Sequence, residues 1–285
     1  MGCNRGGQLG VTSSQAMSGY PKGDFMKIRK TIVRTFLLLL FSLTTLNHSS
    51  APAQRMDAVA KPTFVIVHGA WGGSWAFRRV DALLREKGRN VYRPSLTGLG
   101  ERVHLSSPDV GLGTHINDVV NVILFEDLHD VILVGHSYGG MVITGVAERV
   151  PDRIRRLVYI DAFVPEDGES VMSLLGPRQS WVRQMIQGDF IVPPWVKTEQ
   201  PLPKDVPQPL KTFTESIVLK NKAARQIPAT YILTVEAGHK AEDDDFASQA
   251  TRARRRGWPV LQLTADHNPQ WSVPENLVEM LDKNR

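Results

Sequence analysis

The sequence predicts an α/β fold, a mostly parallel six-stranded sheet flanked by helices, with a small helical cap inserted after the fourth strand. Three observations carry this. From Lys61 onward, short β-branched runs alternate with stretches of helical periodicity, a rhythm that calls for crossover helices and therefore parallel strands. Several runs are apolar at every position, as strands covered on both faces are. One stretch, residues 165–228, breaks the rhythm and holds Pro193, Pro194, Pro201, Pro203, Pro207 and Pro209.

The elements follow in order. Thr63–Val67 reads as a buried strand, and Ser74–Lys87 as a helix whose Val80, Leu83 and Leu84 share one face. Asn90–Arg93 is a short strand, and a glycine-rich loop runs from it to Gly113. A helix at His115–Phe125 leads to the strand Val131–Val134; Met141–Val150 is helical, and Arg156–Ile160 is strand again. After the interruption come the strand Thr230–Thr234, a helix at Phe246–Arg256, the strand Pro259–Leu263 and a last helix at Pro274–Asp282. An ordinary connection in such a fold is far shorter than residues 165–228, so that stretch is an insertion. Its Trp181, Met185, Ile186, Phe190, Ile191 and Trp195 give it more apolar content than a disordered linker carries. The expected organisation is therefore a core of residues 54–164 and 229–285 with a cap at 165–228.

Composition bounds the function. With 42% hydrophobic and 22% charged residues in a chain of 285, a disordered or fibrous chain is excluded. The formal charge of +5 comes from the first 53 residues, which hold Arg5, Lys22, Lys27, Arg29, Lys30 and Arg34 against one acid, Asp24. From Gln54 onward the charges balance, which gives no electrostatic footprint for nucleic acid or an anionic membrane. The basic Met26–Lys30, the apolar Thr35–Leu46 and the small residues of Ala51-Pro52-Ala53 have the order of a secretory signal. Twelve residues are too few to span a bilayer, which takes about 20. The expectation is a secreted or periplasmic protein cleaved after Ala53, with no stable membrane span left after cleavage. Residues 1–25 then read as an extension ahead of a natural start at Met26. The single cysteine, Cys3, lies in that extension, so the mature chain has no disulfide and no thiolate nucleophile.

Three segments carry chemistry. Gly135-His136-Ser137-Tyr138-Gly139-Gly140 matches G-x-S-x-G directly after a buried strand and before a helix. A nucleophile on such a turn sits in a strained backbone, with the helix N-terminus aimed at the site. His68-Gly69-Ala70-Trp71-Gly72-Gly73 follows the first strand, and in a parallel sheet it lies beside that turn. The Ala70 and Tyr138 N–H groups are the expected oxyanion hole. A serine needs a base, and His267 lies in the loop after the last strand, at the same sheet edge as Ser137. His136 adjoins the serine, but neighbouring side chains on a turn diverge. No spacing suggests a metal site, and no cofactor is expected.

From about Thr63 to Leu281 the chain resembles the α/β-hydrolase superfamily. H-G-A-W-G-G, G-H-S-Y-G-G and D-H-x-x-x-x-x-x-P-E-x-L resemble the branch of small carboxylesterases, plant methylesterases and hydroxynitrile lyases. The resemblance implies the α/β-hydrolase fold with a cap, Ser137 as nucleophile, His267 as base, and Ala70 and Tyr138 as oxyanion donors. The third member departs from the usual pattern, because the position expected for the acid, 237, is alanine. Asp161, at the end of the strand before the cap, is the first candidate, as in some relatives; Glu236 and the run Glu242–Asp245 are the alternatives.

Ser137 argues against the epoxide hydrolases and dehalogenases of the superfamily, which need a carboxylate there. Hydroxynitrile lyases of the branch carry threonine where Gly69 stands and lysine where Asn268 stands. The expected function is therefore hydrolysis of a small-molecule ester of small to medium size through an acyl-enzyme, by a monomer or homodimer. Trp71, Trp181 and Trp195 are the candidate substrate-binding residues. Lactonase, thioesterase or perhydrolase chemistry with the same triad, or ligand binding without turnover, are the alternatives.

Overall fold

Alternation along the central strands sends side chains to two separate cores. In β1 (Thr63–Val67) Phe64 and Ile66 join one cluster while Val65 and Val67 join the other. In β3 (Val131–His136) Ile132 and Val134 oppose Val131 and Leu133 in the same way. This is the period of two expected of an extended chain covered on both faces. The computed structural model describes residues 61–197 and 199–283. The expected leader and its cleavage site lie outside them.

The sheet also contains β2 (Asn90–Tyr92), β4 (Ile154–Ile160), β8 (Ala229–Val235) and β9 (Val260–Thr264), in the order β2-β1-β3-β4-β8-β9. Every pairing in it is parallel. One core lies under α1 (Arg78–Glu86) and α8 (Pro274–Lys283), through Val80, Leu84, Leu277 and Leu281. The other lies under α2 (Leu112–Phe125), α3 (Gly139–Arg149) and α7 (Ala247–Arg255), and it continues into the cap through Val171, Val182 and Phe213. The chain leaves β1 for the outer β2 and returns to β3, so the direction of winding reverses beside β3. Ligands of such sheets bind at the strand ends around that reversal.

Element limits shift modestly from those expected. The first helix opens with a 3-10 turn, Ser74–Phe77, before α1 begins, and β4 starts two residues early. The cap differs more. It holds only short helices, α4 (Val171–Leu174), α5 (Gln179–Gln184) and α6 (Lys211–Thr214). It also holds a three-stranded antiparallel sheet of β5 (Ile186–Gln187), β6 (Phe190–Ile191) and β7 (Gln208–Pro209). The expected small helical cap thus also carries strand, which the sequence did not indicate. Two-residue strands are too short for an alternating pattern to show, and Pro209 reads as a strand breaker but is tolerated on the edge strand β7.

Three buried histidines tie the fold to pH. His68 donates its Nδ1–H to the Gly69 carbonyl (2.7 Å) and accepts the Leu96 N–H at Nε2 (3.1 Å). Protonating Nε2 would set two N–H groups against each other. His115 spans Tyr138 Oη and the Thr97 carbonyl, both at 2.9 Å. Burial holds His68 and His115 down at about 4, and His136 at about 3. The unfolded chain titrates these groups near 6.5 and so binds more protons below that pH. Their contribution to stability is complete above about pH 6.5 and lost as pH falls toward 4, at most about 4 kcal/mol per pH unit for three protons. The urea midpoint is expected to drop clearly between pH 7 and pH 5, and a flat midpoint would contradict this account.

Candidate active site

The turn from β3 into α3 is the pivot of the site. Ser137 sits there at φ 54°, a left-handed conformation that is costly for a residue with a side chain. The surroundings hold it in place. The Ser137 N–H donates to the Ile160 carbonyl (3.1 Å), and its own carbonyl accepts the N–H groups of Gly140 (3.1 Å) and Phe163 (3.2 Å). Glycine is needed next door, since a Cβ on Gly139 would lie 2.6 Å from the Val67 carbonyl oxygen.

Asp161 ends β4 and is also left-handed, at φ 43°. Its neighbour Ala162 is pinned from both sides by the hydroxyl of Tyr231 on β8, which accepts the Ala162 N–H (3.0 Å) and donates to the Ala162 carbonyl (3.1 Å). The carboxylate is 1% exposed, a burial that demands partners. Oδ1 accepts the Thr234 N–H (3.3 Å), and Oδ2 lies 2.6 Å from His267 Nδ1.

His267 follows β9, in a turn where Asp266 Oδ1 accepts the Asn268 N–H (3.0 Å) and the Ser272 hydroxyl (2.8 Å). Its Nδ1–H donates to Asp161, and its Nε2 accepts the Ser137 hydroxyl at 3.1 Å. Three side chains from the ends of three strands thus form one hydrogen-bonded line. Phe246 stacks on the imidazole (4.9 Å between centroids, 7° between planes). His136 donates its Nε2–H to the His267 carbonyl (2.7 Å), and among the described residues it has no hydrogen bond to Ser137. Because burial keeps His136 neutral, it steadies the His267 backbone without placing a positive charge beside the imidazole.

Glu236, the alternative acid, lies at the end of β8 with its side chain 61% exposed, 3.9 Å from His239. Among the described residues it forms no hydrogen bond or ion pair with His267. Asp244, within the acidic run, accepts the Phe246 N–H (2.8 Å) and starts the turn into α7. Asp161 is the acid that reaches the imidazole.

The loop after β1 packs onto the pivot. A Cβ on Gly69 would lie 3.2 Å from Ser137 Cβ. Among the described residues no hydrogen bond takes up the N–H of Ala70 or of Tyr138. The cap clamps this loop through Trp71, which is left-handed at φ 62°. The Trp71 N–H donates to Gln208 Oε1 (2.9 Å), its carbonyl accepts the Val206 N–H (2.9 Å), and its Nε1–H donates to the Ile191 carbonyl (3.3 Å). Gln208 is fully buried, and its Nε2 donates to Thr212 Oγ1 (2.8 Å); Thr212 also bonds the Tyr138 hydroxyl. The cap therefore anchors Trp71, the neighbour of Ala70, and the side chain of Tyr138. His136 was weighed in the sequence only as a base and its bond to the His267 carbonyl was not foreseen, and Gln208 did not stand out at all, since no local signal tells such a side chain from a loop residue.

Between cap and sheet edge is a cavity of about 640 Å³, lined by Ser137, His267, Ala70, Trp71, Trp181 and Trp195 among others. That volume suits a small to medium ligand. Among the described residues there is no cluster of histidine, cysteine and carboxylates able to hold a metal.

Comparison with known proteins agrees with this geometry. A family model described as the alpha/beta hydrolase family matches residues 64–280. The chain is similar to a carbendazim hydrolyzing esterase of Nocardioides sp. (strain SG-4G), 40% identical over 76% of this chain and 97% of that protein. It is similar to the pFDCC methylesterase MES16 of Arabidopsis thaliana, 28% identical over 76% of this chain and 92% of the other. Among solved structures, an extracellular alpha/beta-hydrolase from a Paenibacillus species superposes with a TM-score of 0.67 at 27% identity, covering 78% of this chain and 98% of that one.

Proposed function

The chain belongs to the alpha/beta hydrolase family and is a carboxylic ester hydrolase; from that premise we propose that Ser137, His267 and Asp161 are its catalytic triad. The observation that carries this reading is the line Asp161–His267–Ser137, with contacts of 2.6 and 3.1 Å, opening on a cavity beside two free N–H groups.

His267 Nε2 takes the hydroxyl proton as Ser137 Oγ bonds to the ester carbonyl carbon. The carbonyl oxygen becomes an anion, held by the Ala70 and Tyr138 N–H groups. The intermediate collapses by breaking the bond to the alcohol oxygen, which leaves with the proton from His267. Water then gives a proton to His267 and attacks the acyl-enzyme, and Ser137 departs with that proton. Throughout, buried Asp161 fixes the tautomer and balances the imidazolium. Trp71, Trp181 and Trp195 bound the substrate, which is a small-molecule ester. The testing experiment is hydrolysis of 4-nitrophenyl acetate and butyrate by the wild type and by Ser137→Ala; wild-type protein with no turnover on either ester refutes the reading.

Export with cleavage after Ala53 belongs to the same proposal. Its supports are the order of basic, apolar and small residues in the leader and the likeness to an extracellular hydrolase. No helix among the described residues is long and apolar enough to cross a membrane. The intact mass of the exported protein is expected to correspond to a chain starting at Gln54, and a mass retaining residues 27–53 overturns the cleavage.

A further inference from the structure

The His267 imidazole is held by more than its two hydrogen bonds. Those bonds, at Nδ1 and Nε2, fix two points of the ring and still let it rock about the line between them. A contact on the ring face is needed to set its plane. Phe246 supplies one, nearly parallel to the imidazole at 7° and 4.9 Å between centroids. The phenyl ring is itself confined. Its backbone N–H donates to Asp244 Oδ1 (2.8 Å), Phe163 meets it edge-on (64°, 5.2 Å), and the residue is only 5% exposed.

The cap reaches the same ring. Arg178 closes the 3-10 turn Gly176–Arg178, directly ahead of α5. Its guanidinium carbon lies 5.0 Å from the Phe246 centroid, and its Nη1 pairs with Asp245 at 3.2 Å. A guanidinium over an aromatic face is attracted by the ring's quadrupole, so cap, phenyl ring and imidazole form one run of contacts. The other charged or titratable groups around the imidazole are Asp161, the neutral His136 (4.8 Å between rings), Asp244 and Asp266. The two members of the run act with opposite sign. The phenyl face favours the imidazolium that exists while His267 holds the Ser137 proton. The Arg178 charge, one ring away, opposes that imidazolium, tempered by its partner Asp245.

We infer that Phe246 and Arg178 are positioning residues of the hydrolysis: Phe246 sets the plane of the His267 ring, and Arg178 ties that setting to the seated cap. Each acts through His267 rather than on the substrate. The inference rests on the triad reading and deepens it, because the base is then fully set only with the cap in place.

The test is the pH dependence of 4-nitrophenyl acetate hydrolysis by wild type and variants. Phe246→Leu, which keeps much of the volume and loses the ring face, should lower kcat about ten-fold with KM within about two-fold. Its activity should reach half its plateau about half a pH unit below the wild-type value, since the imidazolium loses its aromatic partner. Arg178→Met should lower kcat about three-fold and move that half-activity pH upward by roughly a few tenths. Phe246→Tyr keeps the ring face and Arg178→Lys keeps the charge, so both should stay within about two-fold of wild type. A packing role alone would move the urea midpoint and leave the half-activity pH in place. Half-activity values that do not move, or that move the same way in Phe246→Leu and Arg178→Met, overturn the inference, as does a loss confined to KM. Should Phe246→Leu fail to fold, an Arg178→Met profile identical to wild type overturns it alone. Failure of the triad reading shows separately, as a Ser137→Ala protein that keeps its turnover.

Discussion

Ser137→Ala is expected to lower kcat for 4-nitrophenyl acetate by about 10⁶-fold with little change in KM, since removal of a serine nucleophile elsewhere costs that much. The physical basis is specific to this turn. The serine oxygen is held 3.1 Å from His267 Nε2 by a backbone at φ 54° that three hydrogen bonds enforce, so no other hydroxyl is offered to the base. The residual rate comes from the oxyanion donors and the cavity alone. Alanine at this position fits the space, so the urea midpoint should stay near wild type. A variant that keeps a tenth of the activity would remove Ser137 from the mechanism, whereas the expected loss at unchanged stability excludes misfolding as its cause.

Asp161→Asn is expected to cost about 10⁴-fold in kcat, while Glu236→Gln should stay within about two-fold of wild type. The structure says why the asparagine is so damaging. Asp161 Oδ1 accepts the Thr234 N–H, so the amide oxygen of an asparagine keeps that place and its NH₂ faces His267 Nδ1. The imidazole must then accept at Nδ1 and carry its proton on Nε2. In that tautomer it cannot take the proton of Ser137. Glu236 is exposed and lies 3.9 Å from the equally exposed His239, so its charge is screened by solvent. Activity ranked the other way round, with Glu236→Gln crippled and Asp161→Asn intact, would reassign the acid.

The central strands of the sheet were legible because they are apolar runs buried on both faces, and the elbow because a serine between glycines at a strand-to-helix turn has few other uses. His267 could be singled out by its place after the last strand, since all parallel strands end at one edge. The same reasoning left Asp161 and Glu236 unresolved, for both follow strands ending at that edge. Which carboxylate turns inward depends on the backbone at its own position. At Asp161 that backbone is left-handed and braced by Tyr231, 70 residues further along the chain. The cap was visible as an interruption, but its two-residue strands fall below the length at which alternation can be seen.

What the sequence by itself determined is whatever local pattern and chain order control: the six parallel strands, the two cores, and a serine and a histidine at a shared sheet edge. The tertiary structure alone decided which acid reaches the imidazole, that His136 steadies the His267 backbone, and that Gln208 ties the cap to the loop after β1. The reason is physical. Apolar periodicity is written within a few residues of itself, whereas a buried polar side chain takes its meaning from a partner that only folding brings within 3 Å.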